Sequence, residues 1–422
     1  MSRIKNISEL ASSQLRSDML AVLEAGYAGI DTQTVVQKAL TFSDGILTLE
    51  DVIIDTRDVG RILFFGFGKG SSRAACAVRD VLGTRLTGGV VIDKEPADCL
   101  PIQSFVGNHP MPGEQSREAT RELERVASGL TEKDLVIVAA MGGGSALLVS
   151  PDSEATDGAA LYKALLTVGA NTREQNLIRK HIGALKGGGL AKLLYPAQVL
   201  SLIFSDVPGG HYEDVASGPT YHDESTAAEA EAMLAKFNLA GKFNLVETPK
   251  DEKYFKRVTN KVLVSNESSL AVMAEEAERL GYKAVVIDEP LYGGAEEILA
   301  RLGKLAGPGT IVLDGGEVHL LVSKVTGVGG RCSYLGLTAA SVVTPEQLLV
   351  AAASDGSDNG TKAGVLVDSE TLARMQAAGV DVKAELANLN TLPPFEKIGD
   401  VLDTGRTGAN VSDWYILATV KQ

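Results

Sequence analysis

The stretch Leu135–Pro151, LVIVAAMGGGSALLVSP, decides how this chain is read. Leu135–Ala140 is a short apolar run with Asp134 before it and glycines after it, which predicts a buried strand. Gly142, Gly143 and Gly144 follow, so consecutive backbone N–H groups carry no side chain over them. Ser145 suits the start of the next turn. A buried strand that empties into such a loop forms a cradle for a phosphate or a carboxylate. A tight turn without a ligand would use the same residue types. The backbone entropy lost by a glycine run favours the ligand reading.

Outward from this stretch the chain repeats a strand–helix rhythm. Upstream, Arg61–Phe67, Ser71–Leu82 and Gly89–Asp93 read as strand, helix and strand, a βαβ unit. Ser8–Leu49 reads as helical, with Gly26 and Gly29 breaking the pattern between two helices. Downstream, Val199–Phe204 reads as a strand. Asn238–Arg257 is polar and irregular, and a domain boundary is expected there. A second series follows, with strands at Val262–Val264, Ala284–Ile287, Thr310–Leu313 and Leu348–Ala353 and a closing edge strand at Trp414–Val420. Val318–Val325 alternates like an antiparallel neighbour of Thr310–Leu313. The expected fold class is α/β with two αβ domains. Residues 1–245 form an N-terminal Rossmann-like domain with a mostly parallel sheet. Residues 255–422 form a C-terminal mixed-sheet αβ domain, and the active site is expected in the cleft between them.

Bulk properties narrow the function classes. The 422 residues suffice for two or three domains at roughly 150 residues each. The apolar fraction of 45% supplies ample core, and the net charge of −14 argues against nucleic acid or an anionic membrane as main partner. Cys76, Cys99 and Cys332 are few and widely spaced, which predicts no disulfide framework and a reducing, cytoplasmic setting. The N-terminal stretch has no signal-peptide core, and no apolar run reaches the length of a membrane span. Homo-oligomerisation is left open.

Five strand ends lead into loops of one kind: GFGKGSS (66–72), MGGGS (141–145), SDVPGG (205–210), DGGE (314–317) and SDGSDNG (354–360). Ligands of open parallel sheets bind at the carboxyl ends of strands. Gly66-Phe67-Gly68 followed by Asp93 resembles the start of a dinucleotide fingerprint, but Ser71 stands where the third glycine belongs. Lys69 inside the turn suits a phosphate better. Asp206 and Asp355, each just past a strand, are candidates for a magnesium site, with local turn chemistry as the alternative. For Asp358 and Asp314 turn chemistry is favoured. Arg331 opens a helix after glycines and could reach a transferring phosphoryl group. Asn176, Arg179, Lys180 and Lys186 form a basic set fit for a carboxylate, although Lys180 reads as a solvated face. Ser145 is no nucleophile elbow, because Leu147 replaces the second glycine of that motif. His211, Asp214, His222 and Asp223 match no zinc spacing. His109, in a rigid Asn-His-Pro loop, reads equally as structural or as touching ligand.

Taken in order, GKGSSRAA (68–75), NHPMPGEQS (108–116), GGGSALL (142–148), IRKHIGALKGGGLA (178–191), SDVPGG…VASGPT (205–220), GGE (315–317), GVGGR (327–331) and SDGSDNGTKAG (354–364) resemble the glycerate kinases that phosphorylate the 2-hydroxyl, with a MOFRL C-terminal domain. The likeness runs from about Arg61 onward. It implies ATP and D-glycerate as substrates, 2-phosphoglycerate and ADP as products, and magnesium. The family's critical lysine maps onto Lys69 and its critical arginine onto Arg331. Phosphate and substrate contacts fall to Gly68, Gly142, Gly143, Gly144, Ser145, Arg179, Lys186 and Glu317, and the metal to Asp206 and Asp355. The chain departs from the family at Cys332-Ser333-Tyr334, where Asn-Gln-Glu is usual, and at Ser354 and Asn359. Other readings are an NAD(P)-dependent hydroxypyruvate reductase, a kinase of another short sugar acid, and a non-catalytic metabolite-binding protein.

Overall fold

The structure is a computed structural model and describes residues 2–207, 209–288, 291–320 and 327–421. The chain divides into two compact units. One holds Thr32–Val207 and His211–Leu263; the other holds the chain up to Asp31 and from Val264 onward.

In the first unit, β1 (Leu40–Ser43), β2 (Ile46–Leu49) and β3 (Val52–Asp55) form an antiparallel meander. A helical reading through Leu49 is therefore wrong. Asp44-Gly45 joins β1 to β2 with both residues at positive φ, 53° and 79°, which is the tight hairpin turn that Asp-Gly favours.

The main sheet is built from β4 (Ile62–Phe67), β5 (Leu86–Asp93), β6 (Ile102–Val106), β7 (Leu135–Met141), β8 (Gln198–Phe204) and β9 (Val258–Val264). Their order is β6-β5-β4-β7-β8-β9, and the β4, β5, β6, β7 and β8 neighbours pair in parallel. Renumbered from β4, this is 3-2-1-4-5-6, the Rossmann order, with its switch point between β4 and β7. Every residue of β4 and β7 is buried, as continuous apolar runs in a doubly covered sheet should be. The stretch that decides the fold thus lies beside the topological switch.

The second unit carries β10 (Lys283–Val286), β11 (Leu291–Gly293), β12 (Thr310–Val318), β13 (Gln347–Ala353), β14 (Gly364–Asp368), β15 (Val401–Leu402) and β16 (Asp413–Thr419) in one mixed sheet. β10 and β11 run parallel to β12, and β12, β16, β13, β14 and β15 pair antiparallel in succession. β16 is not an edge strand. It lies between β12 and β13 with all seven residues buried, Trp414 among them. Asp314-Gly315-Gly316-Glu317 lies within β12, not in a loop after it. The expected strand Val318–Val325 falls largely on 321–326, outside the described residues.

The chain up to Asp31 packs on this second unit, not on the first as the domain limits 1–245 implied. The helix Gln14–Gly29 runs unbroken through Gly26, and its glycines are a packing surface. A Cβ on Gly26 would lie 1.9 Å from Met273 Cε, and one on Gly29 would lie 3.3 Å from Val272, so the helix Asn266–Arg279 approaches closely only because these side chains are missing. The buried Arg16 guanidinium then pairs with Asp400 at 2.9 Å and also with Asp368, and Tyr27 meets Trp414 edge-on at 5.0 Å.

Cys76, on the helix Ser71–Leu82, and Cys99, in the loop after β5, form a disulfide across a Cα separation of 5.0 Å. This corrects the expectation of unpaired thiols. Residues 94–101 fold back along the helix, where Ser72 Oγ also donates to the Glu95 carbonyl at 3.2 Å, so a pair 23 residues apart in sequence meets in space. Cysteine scarcity therefore says nothing about the redox compartment. Among the described residues no helix is long and apolar enough to cross a membrane.

Candidate active site

The β4 and β7 loops are stitched together at the switch point. Lys69 N–H donates to the Gly142 carbonyl at 2.9 Å. Gly68 turns at φ 114°, and a Cβ there would sit 2.5 Å from the Met141 carbonyl oxygen, so only glycine lets the loops meet. Gly143, at φ 80°, is the second such position. A Cβ on it would lie 2.8 Å from His109 Nε2 and 3.3 Å from Lys69 Cε. The bare α-carbon of Gly143 is the floor on which both side chains rest.

Other loops close around this floor. A Cβ on Gly142 would be 2.4 Å from Asp206 Oδ2, which places the carboxylate after β8 against the glycine run. Ser145 Oγ bonds Ser217 Oγ at 2.8 Å, tying the run to the Ser217-Gly218-Pro219-Thr220 turn. Gly144 is buried against Phe67 and Ala216, while Gly143 and Ser145 keep partial exposure. Arg179 stacks on the Tyr162 ring at 5.8 Å and is held by Gln175 at 2.8 Å. Burial draws its pKa down, and the nearby Tyr162 and Asp206 work against that shift. The structure thus brings the loops of Gly68, Lys69, Gly142–Ser145 and Asp206 together in the first unit, with Arg179 of the helix Thr172–Ile182 in the field of Asp206.

Lys186, expected at the site, is otherwise engaged, as are Asp93 and Lys180. Lys186 is buried against Glu154 in an ion pair and donates to the Leu148 carbonyl at 3.0 Å. It is a structural charge pair and does not face a ligand. Asp93 is buried and accepts from the N–H groups of Gly70 at 3.1 Å and Ser72 at 3.0 Å. Its carboxylate occupies the start of the helix Ser71–Leu82, where a Rossmann protein would receive a pyrophosphate. Lys180 pairs with Asp214 at 3.1 Å and with Asp223 at 3.5 Å, so it supports the loop 211–223.

The second unit has its own polar centre. Arg331 opens the helix Arg331–Ala339 and binds Glu317 at 2.7 Å and Asp413 at 3.0 Å. Tyr415 hydroxyl donates to the same Asp413 oxygen at 3.2 Å. Burial pushes the Asp413 carboxyl up to about 7, against the pull of Arg331. The two carboxylates in turn hold the guanidinium above its ordinary pKa despite burial. Asp358 accepts the N–H groups of Cys332 and Ser333 at 2.9 and 2.8 Å, so its carboxylate serves the start of a helix distant in sequence and not, as expected, its own turn. Asp355 accepts the Ser357 N–H at 2.9 Å, which is local turn bonding. Asp314, inside β12, pairs with Arg301 at 3.0 Å, and burial raises its carboxyl to about 6.

The departure at Cys332 has a structural meaning. Its side chain is fully buried in the second unit's core with Leu335 and Phe395, and burial raises the thiol pKa. Ser333 is bonded to Gly330 and Thr391. Both side chains are thus buried within the second unit.

Asp413 and Tyr415 escaped the sequence reading because they sit in a strand that looked like an edge. The only available signal was an acidic residue at the head of an apolar run, which is common. Among the described residues no group of three or more His, Cys, Asp or Glu is arranged to hold a metal. A magnesium ion in a phosphoryl-transfer site needs only one or two carboxylates beside the substrate phosphates. Asp206, set against the glycine run, fits that role.

Two family models match the chain: a domain of unknown function (DUF4147) over residues 18–246, and the MOFRL family over residues 310–413. A putative hydroxypyruvate reductase of Agrobacterium vitis is 34% identical over 386 residues, covering 85% of this chain and 87% of the relative. A glycerate 2-kinase of Pyrococcus horikoshii is 29% identical over 433 residues, covering 96% and 97%. The crystal structure of a glycerate kinase from Thermotoga maritima superposes with a TM-score of 0.84 at 27% identity, covering 96% of this chain and 99% of that one. With matches that span both units, this chain belongs to the glycerate kinase family, a family of enzymes.

Proposed function

We propose that the protein transfers the terminal phosphoryl group of ATP to the 2-hydroxyl of D-glycerate, giving 2-phosphoglycerate and ADP. The observation that carries this reading is Lys69 lying over Gly143 at the switch point, with its own N–H fixed to Gly142 at 2.9 Å. A lysine so placed is a point charge over an anion cradle, suited to a phosphoryl group. Gly68 and Gly142–Ser145 line that cradle, and Arg179 adds positive charge beside it. Arg331, with Glu317, is assigned to the same reaction on family likeness alone.

Catalysis of this kind is mostly positioning and charge neutralisation. Lys69 offsets charge on the phosphoryl oxygens. Arg331 presents a planar fork whose orientation Asp413 and Glu317 fix in advance. Asp206 would hold magnesium, which when bound supplies further charge neutralisation on phosphate oxygens. Asp355 is the second candidate for that role, its carboxylate also accepting the Ser357 N–H at 2.9 Å.

The hydroxypyruvate reductase reading, which a relative's name carries, loses its structural support at Asp93. That carboxylate fills the helix start a dinucleotide would need. The deciding experiment measures ADP release with D-glycerate and Mg-ATP beside NADH oxidation with hydroxypyruvate. ADP release that disappears in Lys69→Ala and Arg331→Ala supports the kinase. Steady NADH consumption, or ADP release unchanged in those variants, refutes it.

A further inference from the structure

We infer that His109 accepts the proton of the substrate hydroxyl during phosphoryl transfer and is a catalytic residue beside Lys69. This rests on the kinase reading above.

The loop that carries the imidazole is anchored at both ends. Gly107 N–H donates to the Asp93 carbonyl at 2.9 Å. Asn108 N–H donates to Ser116 Oγ at 2.8 Å, and Ser116 N–H returns a bond to Asn108 Oδ1 at 3.3 Å. Ser116 belongs to the first turn of the helix Glu114–Ala127, so the loop is fixed to a rigid element. The ring edge then lies on Gly143, with Nε2 and Cδ2 at 2.8 and 2.9 Å from the place a Cβ would take. Lys69 Cε shares the same glycine at 3.3 Å. An imidazole and an ammonium thus stand side by side over the glycine run. Among the described residues none hydrogen-bonds either ring nitrogen.

The charge state follows from the neighbours. Burial, then the positive charges of Lys69 and Lys94, push the His109 pKa down to about 4. The ring is neutral at physiological pH, and one nitrogen keeps its lone pair. The rest of the loop array is committed elsewhere. Ser145 Oγ is bonded to Ser217 Oγ, and Asp206 lies in the field of Arg179 and against Gly142. Lysine and histidine therefore divide the work: the lysine neutralises phosphate charge and the histidine takes a proton.

The step balances without a further reactant. The substrate hydroxyl oxygen attacks the terminal phosphorus with a lone pair. As the new O–P bond forms, the bond from that phosphorus to the bridging oxygen breaks, and the nucleoside diphosphate leaves with the bonding pair. The hydroxyl proton passes to the imidazole nitrogen, and the resulting imidazolium returns it to water. A weak base suffices, because a loose transition state asks for little activation of the hydroxyl before attack.

The test uses the full-length chain with D-glycerate and Mg-ATP, reading ADP release for turnover and calorimetry for ADP affinity. His109→Ala is expected to lower kcat about 100-fold, within the usual range for a general base. ADP affinity should stay within about threefold, and added imidazole should restore part of the rate. His109→Gln keeps the polarity and rough size of the ring but has no proton-accepting nitrogen. It should be equally slow, and it carries the test if the alanine variant does not fold. A kcat within about threefold of wild type in either variant overturns the inference, as does a loss confined to ADP affinity. A wild-type chain that releases no ADP with any short hydroxy acid overturns the kinase reading itself, a different failure.

Discussion

The two cationic centres of this molecule are built on opposite plans. Lys69 rests on bare glycine beside a neutral imidazole, and among the described residues it has no ion-pair partner. Arg331 is gripped by Glu317 and Asp413, with Tyr415 behind. The first plan leaves a flexible point charge over an open cradle. The second holds a planar fork in one orientation. Lysine suits the former because its ammonium can follow a moving phosphate, and arginine suits the latter because its donors fit carboxylates in fixed directions.

The sharpest way to break this contrast is to remove each cation. Lys69→Ala and Arg331→Ala should each cut kcat by about 1,000-fold or more, as loss of a transition-state cation does. Arg331→Lys should recover little, because one ammonium cannot satisfy Glu317 and Asp413 together, whereas Lys69→Arg should retain more. Equal rescue by both conservative variants in steady-state assays would erase the distinction.

A control lies in Lys186, a lysine buried against Glu154. Lys186→Met strands Glu154 in the interior and should destabilise the protein by about 3–5 kcal/mol in denaturant titrations. The kcat of the remaining folded protein should be unchanged. A large fall in kcat with stability intact would return Lys186 to the site.

Gly143→Ala tests the cradle floor. The new methyl would occupy a positive-φ position and meet both His109 and Lys69. A kcat loss of about 100-fold is expected from displacing both groups, since small misplacements cost that much. Stability should fall by about 1 kcal/mol or somewhat more.

The smallest effect concerns Asp413. Its folded pKa, about 7, exceeds the usual carboxylate value of 3.8. The folded state therefore binds the proton more tightly than the unfolded chain. The associated stability is complete below about pH 4 and is lost as pH rises to about 7. Asp413→Asn should flatten the pH dependence of the melting temperature between those limits. It should also loosen Arg331 and lower kcat about tenfold above pH 7, where the native carboxylate is charged. A variant as pH-dependent as wild type in thermal melts would remove Asp413 from the account.

Much of the fold was legible because strands buried on both faces announce themselves as unbroken apolar runs. β4 and β7 are the clearest cases. Errors came where local pattern carried less than packing. Asp44-Gly45 marked a hairpin inside a segment read as helix. Gly26 and Gly29 looked like breaks and proved to be the surface of a helix contact. β16 looked like an edge because nothing in its sequence records which strands flank it. The site shows the same division. Lys69, Arg331 and the glycine run stood out by composition, while Asp413 and Tyr415 stayed hidden in a strand. Lys186 was misjudged because a charged residue's partner is a matter of three dimensions.

The local sequence by itself determined most of the strand-end loops, the glycine run Gly142–Gly144 and the cations that stand near such loops, since backbone propensity and side-chain chemistry are written residue by residue; Asp314–Glu317, which lies inside a strand, is the exception. Tertiary structure alone decided which loops share a glycine, as Lys69 and His109 do at Gly143. It also decided which charges are spent on one another, as Lys186 and Glu154 are. Those outcomes depend on strand order and close packing, which bring together residues that no sequence spacing relates.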